Sequence, residues 1–350
     1  MIPEDLLYRM LEIPSLSGDE QALARFLGEQ LSELGFRVRH DEAGNVIGDI
    51  GRDAGRDGPV IMLLSHLDTV GPLLPARRDA ERLYGRGAVD AKGPLATMIC
   101  AAARRPDFLG TIRVAGAVEE EWLSRGGHHL AATLPPPDAL IIGEPGGWDR
   151  VVLGYKGKID LEFTAERPAG HSTKPVAKAS EVAVEFWQQL LGTLGADRDH
   201  ASYAKPAATL RCIHGDLVAG RVEVDCRVPP GFAVEDFMSR LREAAPDGEV
   251  KLIRSIPAVR VERSDPVAAS LSAAIRRAGG RPRPTLKTGT SDMNTVAPSW
   301  TVPMAAYGPG NSTLDHSDDE HIEIAEFRRA ITVLGTALDQ LADLTRREVP

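Results

Sequence analysis

The chain has 350 residues, room for two domains at roughly 150 residues each, and it can bury a sizeable core without disulfide staples. Hydrophobic residues make up 43%, which excludes disorder as the main state. Lys and Arg number 41 against 50 Asp and Glu, a formal charge of −9 that lacks the basic footprint of a general nucleic-acid binder.

At the N-terminus acidic residues appear from Glu4 and no apolar stretch follows, so no signal peptide is expected. No run of 18 apolar residues predicts a membrane span. Leu23, Phe26, Leu27, Leu31 and Leu34 recur at helical spacing after Ser17-Gly18-Asp19-Glu20, a helix start. The run Val60-Ile61-Met62-Leu63-Leu64 is too short for a typical helix and follows Gly58-Pro59; it predicts a buried strand. Residues 93–104 read as helix, 112–118 as strand, 125–134 as helix and 139–142 as strand. This alternation implies βαβ units and a doubly wound, mainly parallel sheet.

The middle of the chain reads differently. Residues 151–166 and 207–228 alternate with period two, as in Val222, Val224, Cys226 and Val228, the pattern of antiparallel strands with one open face. Helices are predicted over 179–194 and 233–245. After Pro266 the helix–strand pattern returns, with a strand near 302–307 and a helix over 322–344. The simplest organisation is an α/β domain built from 1–154 and 263–350, interrupted by a smaller α+β domain over 155–262.

Open α/β sheets hold ligands at the carboxyl ends of their strands. The 60–64 strand ends in Ser65-His66-Leu67-Asp68, the 112–118 strand in Glu119-Glu120-Glu121, and the 139–142 strand in Gly143-Glu144-Pro145. The late strand runs through Gly308-Pro309-Gly310 to Asp315-His316, and Asp90 precedes the 93–104 helix. Taken singly, His66 reads as structural, the three glutamates as a solvated turn and Asp90 as a helix cap. Together they form a carboxylate cluster that would repel itself unless protonated or neutralised by cations. Two histidines with carboxylates suit a pair of divalent ions, which can share a bridging carboxylate. Zinc is the expected metal, with cobalt or manganese as alternatives. His40, His128, His129, His200, His214 and His321 read as surface or structural. Cys100, Cys212 and Cys226 form no C-x-x-C pair, so neither a disulfide framework nor a cysteine zinc site is expected, in keeping with the cytoplasm. No G-x-S-x-G elbow points to a serine hydrolase.

These residues resemble the M20 family of two-metal amidohydrolases and metallopeptidases, along essentially the whole chain. The matching motifs are Ser65-His66-Leu67-Asp68-Thr69-Val70, residues 85–93 (GRGAVDAKG), Glu119-Glu120-Glu121, Gly143-Glu144-Pro145 and residues 315–320 (DHSDDE). The resemblance implies a catalytic domain with an inserted lid that dimerises, hence a homodimer. It implies His66 and Glu144 on one ion, Glu121 and His316 on the other, and Asp90 bridging both. Glu120 would be the general base, and Asp68 would orient His66 through its second ring nitrogen. Where the family usually has Asp-Glu-Glu this chain has three glutamates, so base and ligand stay open by one residue; the spacing to Ser124-Arg125-Gly126 favours Glu120 as base. In the interrupting domain, His171 of Ala169-Gly170-His171-Ser172 and Arg227 of Asp225-Cys226-Arg227 would contact substrate, with Gly289, Thr290 and Ser291 of residues 287–294 (KTGTSDMN).

Within that family the chain resembles hydrolases of the LysK type, which release lysine or ornithine from the C-terminal glutamate of a small acidic amino-group carrier protein. An acidic partner suggests a local basic rim, with Lys156, Lys158, Lys174, Arg281, Arg283 and Lys287 as candidates. Two other functions fit the family: deacylation of a free small molecule such as acetylornithine or succinyl-diaminopimelate, and a non-catalytic binding homologue. No nucleic acid or membrane partner is expected.

Overall fold

A computed structural model describes residues 2–52 and 59–345. It divides into two compact units. The first comprises 1–154, 261–285 and 291–350, and the second 155–260 with 286–290.

The first unit is built on a mixed sheet. Its strands run in the order Arg37–His40, Val46–Ile50, Thr111–Ala117, Val60–His66, Ala139–Ile142, Met304–Ala306 and Arg150–Tyr155. The centre is parallel: Val60–His66 pairs in parallel with both Thr111–Ala117 and Ala139–Ile142, and Met304–Ala306 in parallel with Ala139–Ile142. The margins are antiparallel. The central strands are buried almost throughout, which is why they read as continuous apolar runs. Helix Lys92–Ala103 is buried nearly all round and packs against Ile324–Thr345 and Pro3–Glu12. Two helices were not distinguished by sequence pattern: Pro3–Glu12, whose buried face is Leu6, Leu7, Met10 and Leu11, and the five-residue Asp292–Val296. No helix among the described residues is long and apolar enough to cross a membrane.

The second unit is a four-stranded antiparallel sheet in the order Ala207–Gly215, Ala219–Val228, Gly157–Glu166 and Glu249–Ile256. The inward residues of Gly157–Glu166 are Ile159, Leu161, Phe163 and Ala165, every second position. They meet Val182, Phe186 and Leu190 of helix Ala179–Leu194 and Phe237, Met238 and Leu241 of helix Val234–Ala244. Phe163 and Phe186 stack with ring centroids 4.2 Å apart.

The other face of this sheet corrects part of the basic rim. Lys156 is buried. Lys158 is nearly buried, 3.2 Å from Asp160 and 3.4 Å from Asp225, and Arg254 lies 2.8 Å from Asp160. Arg221 pairs with Glu162 and Glu223. The register sets Asp225 opposite Asp160 and Arg227 opposite Lys158, so most of the opposite charges meet along a strand or diagonally, and Lys156 and Lys158 are not available as a rim. In the first unit Arg283 is likewise tied to Asp149.

Candidate metal centre

The cluster lies wholly in the first unit, where the parallel strands end. His66 is the last residue of its strand and Glu144 follows Ala139–Ile142 by two residues. Glu120 and Glu121 follow Thr111–Ala117, Asp90 precedes Lys92–Ala103, and His316 comes from the segment before strand His321–Glu323. Register places His66 opposite Ala117, so the two strands deliver their terminal side chains to one edge.

Asp90 is the centre of the geometry. Its Oδ1 lies 3.1 Å from His66 Nε2 and its Oδ2 lies 3.3 Å from His316 Nε2. Glu144 Oε1 is 4.0 Å from His66 Nε2, and Glu121 Oε1 is 2.7 Å from His316 Nε2. Three overlapping donor triads result: His66, Asp90 and Glu144; Asp90, Glu121 and His316; and His66, Glu120 and Glu121. In each, one ligand atom from every residue lies within 4.8 Å of the others.

Backbone conformation decides which of the three glutamates enter. Glu119 has φ +60, a left-handed value uncommon outside glycine. Its side chain turns to Arg125, whose Nε donates at 2.8 Å, and its own N–H donates to Glu20. Glu120 and Glu121 donate their N–H groups to the two carboxylate oxygens of Asp68, at 2.9 and 3.0 Å. The turn then enters helix Arg125–Thr133 through Gly126, where a Cβ would fall 2.3 Å from Asn45 Oδ1 and 2.4 Å from Val118 N. His316 also has φ +60. Such residues persist only where their surroundings hold them, and both stand next to residues of the cluster or within it.

Asp68 meets His66 at the ring's second nitrogen with both its main chain and its carboxylate. His66 Nδ1 lies 2.9 Å from the main-chain carbonyl of Asp68 and 3.4 Å from its carboxylate. The carbonyl is the nearer partner of the ring, and the carboxylate also holds the Glu120–Glu121 turn and accepts from the Ser17 hydroxyl at 2.7 Å. One residue thus aligns a histidine and two glutamates.

Electrostatics favour a cation here. Burial, joined by the like charges of Glu144 and Glu121, pushes Glu120 well above the usual carboxylate range against the opposing charge of His66. Burial and the charge of Asp90 do the same to Glu144. For Asp90 burial is outweighed by hydrogen bonds from His316 and His66, which hold it below its ordinary value. Hydrogen bonds to Asp90 and Glu121 lift His316 to about 10. Two glutamates forced toward neutrality beside a histidine forced toward the charged form mark a site short of positive charge. The donor set of imidazole nitrogens and carboxylate oxygens, without thiolate, fits divalent ions such as zinc.

Sequence reasoning assigned no role to Asp292. It is buried, burial raises it to about 7, and neither carboxylate oxygen has a hydrogen-bond partner among the described residues. Its Oδ1 lies where a Cβ on Gly127 would come within 2.4 Å. Only its place after Ser291 could have signalled it, and that position equally suits a helix-start acid. Ser291 itself is buried, and its hydroxyl caps helix Asp292–Val296 through Met293 N. The other proposed substrate contacts belong to the second unit. His171 is exposed, its Nδ1 2.9 Å from Thr173 Oγ1. Arg227 pairs with Asp225 and donates to Thr290 Oγ1 at 3.1 Å. Gly289 has open space around its Cα.

The sequence pattern of peptidase family M20/M25/M40 matches residues 62–340. The [LysW]-lysine hydrolase of Deinococcus radiodurans is 37% identical over 353 residues, covering 96% of each chain. The [LysW]-lysine/[LysW]-ornithine hydrolase of Saccharolobus solfataricus is 28% identical over 97% of this chain and 95% of its own. Among solved structures, an M20-family metallo-carboxypeptidase of Sulfolobus solfataricus superposes with a TM-score of 0.81 at 17% identity, covering 98% of this chain and all of its own.

Proposed function

The chain belongs to peptidase family M20/M25/M40, a metal-dependent hydrolase of amide bonds, and we propose that it releases lysine, ornithine or both from the C-terminal glutamate of a LysW-type carrier protein. The names of its relatives supply the substrate. The chemistry rests on one observation: the two carboxylate oxygens of Asp90 face two different histidines. This is what a ligand shared between two ions requires.

We assign His66 and Glu144 to one ion, Glu121 and His316 to the other, and Asp90 to both, with zinc as the metal. When bound, divalent ions lower the pKa of water and offset negative charge developing on an attacked carbonyl. Glu120 takes a proton from the attacking water as the new C–O bond forms. It returns that proton to the α-amino nitrogen of lysine or ornithine as the C–N bond breaks. Asp68 holds Glu120 and Glu121 by their main-chain N–H groups, so the base and a ligand keep a fixed spacing. His171, Arg227, Gly289 and Thr290 are assigned to substrate contact on resemblance. Asp225 pins the guanidinium of Arg227 through Nε and Nη2, and Nη1 reaches Thr290. A homodimer and a cytoplasmic location complete the reading; the three cysteines are free thiols, as a reducing compartment keeps them.

Specificity is tested by comparing kcat/KM for carrier-linked lysine, carrier-linked ornithine and acetylornithine. A carrier-linked substrate should lead by roughly 100-fold, equivalent to about 2.8 kcal/mol of binding energy from parts of the carrier remote from the reacting bond. Acetylornithine hydrolysed as well as either carrier would instead make the chain a small-molecule deacylase.

A further inference from the structure

We propose that Glu320, together with Arg86, is a positioning residue that sets Asp90 in register with His316; the inference rests on the two-ion reading of the centre. Glu320 belongs to the motif that follows His316, yet nothing in the reaction above uses it.

Its surroundings are specific. Glu320 Oε1 accepts three main-chain N–H groups: Gly87 at 3.0 Å, Val89 at 2.9 Å and Asp90 at 3.1 Å. Its Oε2 accepts from Arg86 Nη1 at 2.7 Å. The 85–90 segment curls around one carboxylate because Gly87 turns left-handed, at φ +89, where a side chain would come within 2.9 Å of Lys92 and Thr69. Successive N–H groups aimed at one point form an anion-binding nest. Arg86 reaches the other way: Nη1 donates to the carbonyl of Ser317 at 3.0 Å and Nε to that of Pro72 at 3.1 Å.

One carboxylate therefore fixes the main chain of Asp90 directly. Through Arg86 it also fixes the residue after His316. Asp90 and His316 are two of the three members of one donor triad, with Glu121. Both side chains of the clamp are buried, Glu320 completely and Arg86 to 3% exposure. A buried ion pair is a weak source of stability, because apolar residues of similar volume often do as well or better; holding a register is the better-attested use. The two segments are also joined independently, since His321–Glu323 pairs antiparallel with Arg82–Tyr84, Ile322 opposite Leu83. Removing the clamp should loosen the triad and leave that pairing in place.

The test is calorimetric titration of Zn²⁺ into metal-stripped wild type, Glu320→Ala, Glu320→Gln and Arg86→Lys, with melting curves of the metal-stripped proteins as the control for folding. Wild type should bind two ions. Glu320→Ala should weaken the ion held by His316 by on the order of 10- to 100-fold, the usual cost of removing an outer partner of a ligand, and the other ion less, because Asp90 reaches both. At the His316 ion this loss should not add to that of His316→Ala. Glu320→Gln keeps an oxygen for the three N–H groups and should recover part of the affinity. Excess Zn²⁺ should restore kcat in Glu320→Ala with KM little changed. A folded Glu320→Ala protein binding both ions as tightly as wild type would overturn the proposal. If Glu320→Ala does not fold, unchanged affinities in both Glu320→Gln and Arg86→Lys would overturn it equally. A wild type that binds no Zn²⁺ would remove the two-ion reading, and this inference with it.

Discussion

Glu120→Gln is expected to keep both ions and substrate binding while kcat falls by roughly 100- to 10,000-fold, the contribution of a positioned general base. Gln is nearly isosteric, and the turn is held by main-chain bonds from Glu120 and Glu121 to Asp68, which the substitution leaves intact. Glu121→Gln should behave differently, with metal affinity falling first, because Glu121 Oε1 lies 2.7 Å from His316 Nε2 in a donor triad. Steady-state kinetics with metal analysis on both variants separates the roles. Near-normal kcat in Glu120→Gln beside a large loss in Glu121→Gln would move the base by one residue.

Asp90→Ala should have the largest effect on metal content. Glu121 also shares a donor triad with each histidine, but Asp90 puts one oxygen 3.1 Å from His66 Nε2 and the other 3.3 Å from His316 Nε2. Losing them should weaken both ions by more than the roughly 10- to 100-fold typical of an outer partner, and activity should fall to background. His66→Ala and His316→Ala should each spare the other ion in part. Metal analysis of protein purified at matched Zn²⁺ checks this; two ions retained in Asp90→Ala would show that Asp90 bridges nothing.

Much of the centre was legible in the sequence for a physical reason. Central parallel strands are buried on both faces, so Val60–His66 and Ala139–Ile142 appear as bare apolar runs whose ends are easy to find. His66 and Glu144 stand at those ends. Residues set by backbone conformation were harder to read. Nothing in Glu119-Glu120-Glu121 announces that the first member is left-handed and faces Arg125. Lys156 and Lys158 read as surface charges because their burial and pairing depend on neighbours far along the chain, among them Asp225. The run 151–166 also conceals a break: Arg150–Tyr155 joins the large sheet, and Gly157–Glu166 is a separate strand of the four-stranded one. Asp292 and Glu320 were missed because their significance lies in what surrounds the carboxylate: no hydrogen-bond partner for one, three converging N–H groups for the other.

The most direct measurement is mass spectrometry of the LysW-type carrier, bearing lysine on its C-terminal glutamate, after incubation with metal-stripped and Zn²⁺-reloaded protein. The expected result is a carrier shortened by one lysine, with free lysine in equal amount, in the reloaded sample alone. Release at the same rate without metal would contradict a two-ion mechanism. An intact carrier in the reloaded sample, with two ions bound, would contradict the assigned substrate.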